Sequence, residues 1–343
     1  RLITNKKREK IMSSYLDNPV FVCGHRKAGT TMLVNLLDNV DSIITYPDDS
    51  GFFYRYFPRY ANDSYTDKEK INRLCDVIIK EKLSEVIDDI DCDFEEKRQL
   101  IANQIDLVGK VRNYAKSNFS YKEILLYFID SFKEVFYPES NATVWVEKTT
   151  STEIYAVELS REFPNAKFIH IIRDPRDNFS SLLSGWDKKY SSVNDTIERL
   201  LQSTIDRGLL GMKCAKNNCE IIGQDRYKVI KFEELTSNPK DMMKDIASFI
   251  GVPFDENMLT PTVFGRSWYG NNFNGIKTTS PTSFNVSKWK SRMDPYYAQV
   301  IEFYFKDMME YFEYDIEYTL KETQLAASNF YKWSNFSTEF SDK

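Results

Sequence analysis

Short apolar runs and stretches of helical period alternate along most of this chain. Val20-Phe21-Val22-Cys23 has the length of a strand, Gly24 and a loop follow at once, and Met32, Leu33, Leu36 and Leu37 recur at helical spacing between Thr30 and Asn39. The pattern predicts strand, loop, helix. Ser42 to Tyr46 gives a second short strand that ends at Pro47-Asp48-Asp49. From about Thr66 to Tyr137 the strand-like runs stop, and charged amphipathic helices are predicted over Lys68–Leu83, Phe94–Lys116 and Tyr121–Phe136. Strand-like runs return at Thr143–Val146 and, after a helix over about Thr152–Phe163, at Lys167–Ile172, which closes on Arg173-Asp174-Pro175. Pro175 suits the first turn of a following helix. A long helix over about Val193–Asn217, a strand over Tyr227–Phe232, a helix from Pro239, an aromatic loop region over 257–293 and a terminal helix over about Asp294–Tyr314 complete the reading.

Strands alternating with helices predict an α/β fold: a three-layer α/β/α arrangement around a central parallel sheet, with ligands beyond the carboxyl ends of the strands. The expected organisation is a single domain over 1–343, with 19–60 and 143–315 as the α/β core and 66–137 as a helical insertion or cap.

Composition narrows the chemistry. The 343 residues are 42% hydrophobic and 28% charged, which excludes a disordered chain, and no run approaches the roughly 20 apolar residues of a membrane span. With 46 Lys+Arg against 51 Asp+Glu, the net charge of −5 argues against a nucleic-acid partner, so an anionic ligand needs a local cluster of cations. Only two His are present, so a zinc site or a Ser-His-Asp device would have to use His25 or His170. His170, inside a strand, reads as a core residue. Five Cys without a CxxC pair fit reduced thiols and a cytoplasmic location better than a bridge such as Cys214–Cys219. The alternative is a secretory lumen with an N-terminal anchor removed ahead of Arg1, suggested by Asn-X-Ser/Thr triplets at Asn62, Asn118, Asn141, Asn178, Asn194, Asn285 and Asn335. A sequence this rich in Asn also produces such triplets by chance.

Two segments carry chemistry. Gly24-His25-Arg26-Lys27-Ala28-Gly29-Thr30-Thr31 lies between a strand and a helix, where spaced glycines let backbone amides wrap an anion at the positive end of the helix. That makes the sheet one of P-loop type. A nucleotide triphosphatase would carry Lys after the second Gly, but Thr30 holds that place and the cations Arg26 and Lys27 lie inside the loop. The second segment, Arg173 to Ser181, again joins a strand end to a helix start. There Arg173 and Ser181 can grip another phosphate by charge-assisted hydrogen bonds, although a plain salt-bridge corner with Asp174 or Asp177 would look the same. Two anion sites on adjacent strands imply a ligand with two separated phosphate groups.

Together these residues resemble the sulfotransferase family that uses 3′-phosphoadenosine 5′-phosphosulfate (PAPS). Lys27-Ala28-Gly29-Thr30-Thr31 is similar to its 5′-phosphosulfate loop, and Arg173 through Ser181 to its 3′-phosphate motif. Glu147-Lys148-Thr149, the block Phe163–Asp177, Phe232-Glu233-Glu234-Leu235 with Asn238-Pro239, and Val286-Ser287-Lys288-Trp289-Lys290 follow in the family's order. The resemblance covers about Pro19–Asp49 and Trp145–Asp315 and leaves the helical stretch between them unaccounted for. It implies a PAPS donor, 3′-phosphoadenosine 5′-phosphate (PAP) as product, no required metal, and donor contacts from Arg26, Lys27, Ala28, Gly29, Thr30, Thr31, Arg173, Ser181 and Lys288. With Lys148 and Arg176, these cations are expected to converge on one cleft.

The transfer implied is in-line, with a loose transition state stabilised by positioned cations. Lys27 would act on the leaving phosphate and Lys148 on the moving sulfuryl group, unless Lys148 merely pairs with Glu147. Cytosolic members carry a His two residues after that Lys; here the place is Thr150. Bacterial and Golgi-type members carry instead a carboxylate a short way past the loop, and this chain is closer to them, with Asp48 in that place and Asp49 beside it. Asp48 is the expected base, with Asp49, Glu147 and His25 in reserve, although Pro47–Gly51 also fits a plain turn. Aromatics at Phe52–Phe57 and Trp268-Tyr269 could line an acceptor pocket or fill the core. The acceptor, a small molecule, carbohydrate, lipid or peptide, is not legible. A P-loop nucleotide kinase and a non-catalytic nucleotide-binding interaction module are the alternatives.

Overall fold

Strand and helix follow each other through most of the computed structural model, which describes residues 15–273 and 275–341. The strands are β1 (Pro19–Cys23), β2 (Ile43–Thr45), β3 (Val144–Lys148), β4 (Lys167–Ile172) and β5 (Tyr227–Lys231), and they form one sheet in the order β2-β3-β1-β4-β5. Every pairing in it is parallel. A small antiparallel pair, β6 (Thr262–Val263) and β7 (Arg266–Ser267), lies apart from it.

Side chains alternate across the sheet as the strand period requires. Phe21, Trp145, Phe168 and Tyr227 point to one face, whereas Val20, Val22, Val144, Val146, Ile169, Ile171 and Ile230 point to the other. One face is therefore aromatic and the other branched aliphatic. At the centre of the aromatic face the Phe21 ring lies 5.4 Å from Phe168, 5.6 Å from Phe163, 5.7 Å from Trp145 and 5.8 Å from Phe53, three of the four in edge contact.

The helices are α1 (Thr30–Leu36), α2 (Asp67–Arg73), α3 (Leu83–Asp89), α4 (Phe94–Arg112), α5 (Tyr121–Phe136), α6 (Ala156–Glu162), α7 (Pro175–Leu183), α8 (Ile197–Ile222), α9 (Phe232–Ser237), α10 (Pro239–Ile250), α11 (Trp289–Arg292), α12 (Pro295–Tyr311) and α13 (Leu320–Ser341). Leu33 and Val34 of α1 and Met243 and Ile246 of α10 cover the aliphatic face. The helices from α2 to α5 share a core with the aromatic face through Leu74, Ile78, Leu107, Ile124 and Phe128. Capping boxes open α2, α4 and α5, where Thr66, Asp93 and Ser120 each exchange hydrogen bonds with a Glu three residues on. Phe179, Leu201, Ile205, Ile301, Phe305 and Phe330 build a third core among α7, α8, α12 and α13.

Several boundaries differ from the sequence reading. The helix expected over Lys68–Leu83 is divided by a widened turn at Leu74–Lys82, and α4 stops at Arg112, four residues short of the expected end. The helix expected over Val193–Asn217 starts at Ile197, where Thr196 caps it, and runs on to Ile222 before Gly223 ends it with φ 94°. The expected end was about Asn217. The Asn218 amide is instead buried and donates to the Glu153 carbonyl at 2.8 Å, so a tertiary contact carries the helix through. Helix α13 was not expected at all: its sequence is mostly polar, and a stripe with Thr323, Ala326, Ala327 and Phe330 is what it buries among the residues whose side chains are described. Of the aromatic run after the β2 turn, Phe52, Phe53 and Tyr56 are fully buried core. All five cysteines are unbridged. Asn178 is buried and donates to the Arg26 carbonyl at 2.9 Å, so its triplet has a structural use. No helix among the described residues is long and apolar enough to cross a membrane.

Arg176 does not join the other cations. Its side chain is 3% exposed, pairs with Asp174 at 2.7 Å and Glu302 at 2.5 Å, and lies 4.4 Å over the Trp289 ring. Glu302 also accepts the Glu317 and Tyr318 amides, so this one buried pair ties α7 to α12 and to the chain entering α13. Removing Arg176 strands the buried charge of Glu302, whose side chain is 1% exposed. Arg176→Ala should therefore lower the unfolding free energy by about 3–5 kcal/mol, read as a drop in the urea midpoint.

Candidate active site

The loop after β1 is shaped by its glycines. Gly24 has φ 143° and Gly29 φ 109°, and a Cβ would fall 2.5 Å from the Ile171 carbonyl oxygen at the first and 2.5 Å from the Phe232 ring at the second. The loop thus lies hard against β4 and the start of α9, and its second glycine delivers the chain into the N-terminus of α1. The Gly24 amide donates to Glu153 at 3.1 Å, and burial pushes that carboxyl up to about 7.

In front of the loop is a cavity of about 130 Å³ lined by Lys27, Gly29, Thr30, Thr31, Arg173 and Ser181, closed on its outer side by residues from Trp268 to Asn285. Lys27 donates to the Asn271 carbonyl at 2.9 Å, with its ammonium 4.1 Å from the Phe273 ring centroid. Burial, followed by the charges of Lys189 and Arg173, brings the Lys27 pKa down to about 8. Arg173 stacks on Phe232 at 4.4 Å and donates to the Lys27 and Asn285 carbonyls at 3.0 and 2.9 Å, while its buried Nε has no partner. Cations, hydroxyls, a helix N-terminus and an unpartnered guanidinium nitrogen fit a ligand with separated phosphate groups.

Other predicted donor residues lie elsewhere. The Arg26 guanidinium turns towards α8, donating to Ser203 at 3.0 Å and lying 5.5 Å over the Tyr190 ring. Ala28 is buried behind the loop beside His25 and His170. Lys288 stays at the rim, with its ammonium 5.3 Å from the ring of Phe284, which itself lines the cavity.

Beside this cavity the end of β3 meets the turn after β2. The Lys148 side chain is 5% exposed, and its ammonium lies 3.3 Å from the Thr31 hydroxyl, 3.4 Å from Asp49 and 3.7 Å from Asp48. Burial works against its charge, and the two aspartates outweigh it, so Lys148 titrates above its ordinary value. Thr31 donates to Asp48 at 2.9 Å. For Asp48, burial acts upward but Lys148 and the Thr31 hydroxyl prevail, holding the carboxyl below its ordinary value.

The other base candidates are occupied or remote. Asp49 accepts from the amide and hydroxyl of Thr150 at 3.1 and 2.6 Å and from the Gly51 amide at 2.9 Å. Glu147 is 1% exposed, bonded to the hydroxyls of Ser50 and Thr149, and burial pushes its carboxyl up to about 7. His25 faces Asn178 behind the loop, and burial together with Arg26 lowers it to about 3.

A second cavity of about 600 Å³ adjoins the first across Thr31, Trp268 and Asn271, with Asp48 on its wall and Val86, Asp89, Ile90 and Asp91 opposite. Sequence reasoning missed that wall, as it missed Glu153 and the packing of Phe232 against Gly29. Nothing in the spacing of charged helix residues marks which turn faces a cavity.

Comparison with known proteins bears on the family and the fold. The sequence model of the sulfotransferase family matches residues 19–256. Among curated proteins, the protein-tyrosine sulfotransferase of Drosophila melanogaster is 29% identical over 105 residues, 31% of this chain and 20% of that one. Protein-tyrosine sulfotransferase A of Caenorhabditis elegans is 27% identical over 104 residues, 30% of this chain and 26% of that one. The matches thus span about a fifth to a quarter of those relatives. Among solved structures, the sulfotransferase domain of the curacin biosynthetic pathway superposes with a TM-score of 0.57 at 16% identity, covering 87% of this chain and 98% of that one. The sulfotransferase domain of the Synechococcus PCC 7002 olefin synthase gives 0.56 at 18% identity, covering 88% and 96%. These likenesses show the shared fold, and with a family match over well more than half its length the chain belongs to the sulfotransferase family.

Proposed function

We propose that the protein moves a sulfuryl group from PAPS to a hydroxyl or amine of an acceptor, with Asp48 taking the acceptor's proton. One observation carries this reading: Thr31 lies on the walls of both cavities, and Lys148 and Asp48 meet on its hydroxyl. Catalytic cations, a carboxylate and two adjoining cavities are what a two-substrate transfer needs in one place.

The donor supplies an activated sulfuryl group whose loss leaves a phosphate, and the residues divide the remaining work. The loop amides after Lys27 and the hydroxyls of Thr30 and Thr31 hold the 5′-phosphate; Arg173 and Ser181 hold the 3′-phosphate. Lys27 gives up the Asn271 carbonyl and meets the charge that grows on the leaving oxygen. Lys148 faces the sulfuryl oxygens and keeps Asp48 ionised. Asp48 accepts the proton as the new S–O or S–N bond forms and the old S–O bond breaks, and PAP departs. A carboxylate held below its ordinary pKa is a weak base, which suits a proton lost late, after the acceptor has begun to bond to sulfur.

PAP without magnesium should raise the melting temperature, and Arg173→Ala or Lys27→Ala should abolish the rise; equal stabilisation by ATP with magnesium would point to a nucleotide kinase. Asp48→Asn should keep PAP affinity and cut turnover by about 100- to 10,000-fold in a labelled-sulfate transfer assay. A fully active variant would move the role to Asp49 or Glu147, whereas PAP binding with no acceptor ever sulfated would favour the interaction-module reading. Lys27, at about 8 in the free protein, rises when it faces a phosphate, so PAP binding near pH 8 should take up a proton and weaken as pH climbs through that value. Titration calorimetry in buffers of different ionisation enthalpy reads this uptake, and Lys27→Arg should remove it.

A further inference from the structure

The second cavity carries chemical information about the acceptor. It adjoins the donor cavity at Thr31 and has Asp48 on its wall, so an acceptor bound there reaches the proposed base. Another hollow of about 640 Å³, between Tyr54, Thr150, Ile154 and Arg207, includes neither Thr31 nor Asp48 in its lining. The outer wall of the second cavity comes from the end of α3 and the residues just after it, where Val86 and Ile90 give apolar surface and Asp89 and Asp91 give charge. The helical stretch that the family resemblance left unexplained thus borders the place where an acceptor would lie.

Aspartates outnumber lysines on the lining of this cavity, with Asp48, Asp89 and Asp91 against Lys277. Asp89 and Asp91 are exposed and have no ion-pair partner among the described residues. The one lysine on the lining, Lys277, has its ammonium 4.9 Å from the Tyr269 ring centroid. The cations of the donor cavity offer the acceptor no surplus positive charge, because the donor's own phosphates and sulfate match them. No group of three His, Cys, Asp or Glu side chains able to hold a metal ion occurs among the described residues. Trp268 and Tyr269 add ring surface on the same lining.

We infer that the acceptor is a hydroxylated molecule bearing a protonated amine, and that Asp89 and Asp91 select it by holding that amine while its hydroxyl faces Asp48. The inference rests on the proposed transfer reaction. It excludes an acidic acceptor, which would place its carboxylates against Asp89 and Asp91.

A matched pair of phenols tests it. Tyramine and 4-hydroxyphenylacetate differ in the sign of the charge at the end of the side chain, and each is titrated into the full chain saturated with PAP. Tyramine should bind about tenfold more tightly, as two exposed ion pairs allow, and added salt should shrink the difference. The double variant Asp89→Lys/Asp91→Lys should abolish or reverse the preference with PAP affinity unchanged. Equal binding of the two phenols, tighter binding of the acid, or a preference that survives in the double variant would overturn the inference and leave the transfer reading standing. Failure of PAP itself to bind would overturn both.

Discussion

The ammonium of Lys148 stands at the end of a central strand with almost no access to water, and a buried charge in that position is tolerated only if its counterions are fixed around it. Asp48, Asp49 and the Thr31 hydroxyl surround it. Each comes from a different piece of the fold: Lys148 from β3, the aspartates from the turn after β2, Thr31 from the first turn of α1. Meeting the needs of one lysine therefore brings the loop helix, the sheet and the edge-strand turn to a common point. Asp49 fixes the turn by spending its oxygens on Thr150 and Gly51, which leaves Asp48, held in a left-handed conformation with φ 50°, facing the second cavity.

A chain of net charge −5 can still gather cations and amide donors around one cavity. Overall charge has little to do with it. The loop offers amides and a helix end, which carry no formal charge, and adds Lys27 beside Arg173 in a space small enough that burial and the charges of Lys189 and Arg173 lower the proton affinity of Lys27. Arg173 holds the loop in shape through the Lys27 carbonyl and the outer segment through the Asn285 carbonyl, and its Nε remains unpartnered. Arg176, three residues on, faces the other way and anchors α7 to α12. Two arginines in one short motif thus face separate ways, Arg173 into the cavity and Arg176 into the scaffold, because the turn into α7 between them points them to opposite sides.

Much of the site was legible in the sequence because its parts are local. A strand, a tight glycine loop and a helix lie next to one another in the chain, and so do a strand end, Arg173 and the helix carrying Ser181; their geometry follows from turn chemistry and helix dipoles. The expectation that Asp48 lies beside the loop came from the family resemblance, and the structure puts its carboxylate on the Thr31 hydroxyl. What was not legible is non-local. Glu153 reaches the Gly24 amide and Phe232 backs Gly29 across long stretches of chain, and no pattern within either segment signals the partner. The turn at Val86–Asp91 reads as an ordinary helix end, and the helix α13 hides its buried stripe among polar residues.

By itself, then, the sequence determined the alternation of strand and helix and the two strand–loop–helix segments, since these depend on period, on glycine geometry and on neighbours within a few residues, and its short motifs carried the resemblance to the sulfotransferase family. The tertiary structure alone decided which arginine meets the ligand cavity and which is buried in the scaffold, which of two adjacent aspartates is spent on its own turn, and which face of the helical stretch borders the second cavity. Those outcomes depend on what packs against each side chain, and packing is settled by contacts between segments whose separation along the chain carries no record of them.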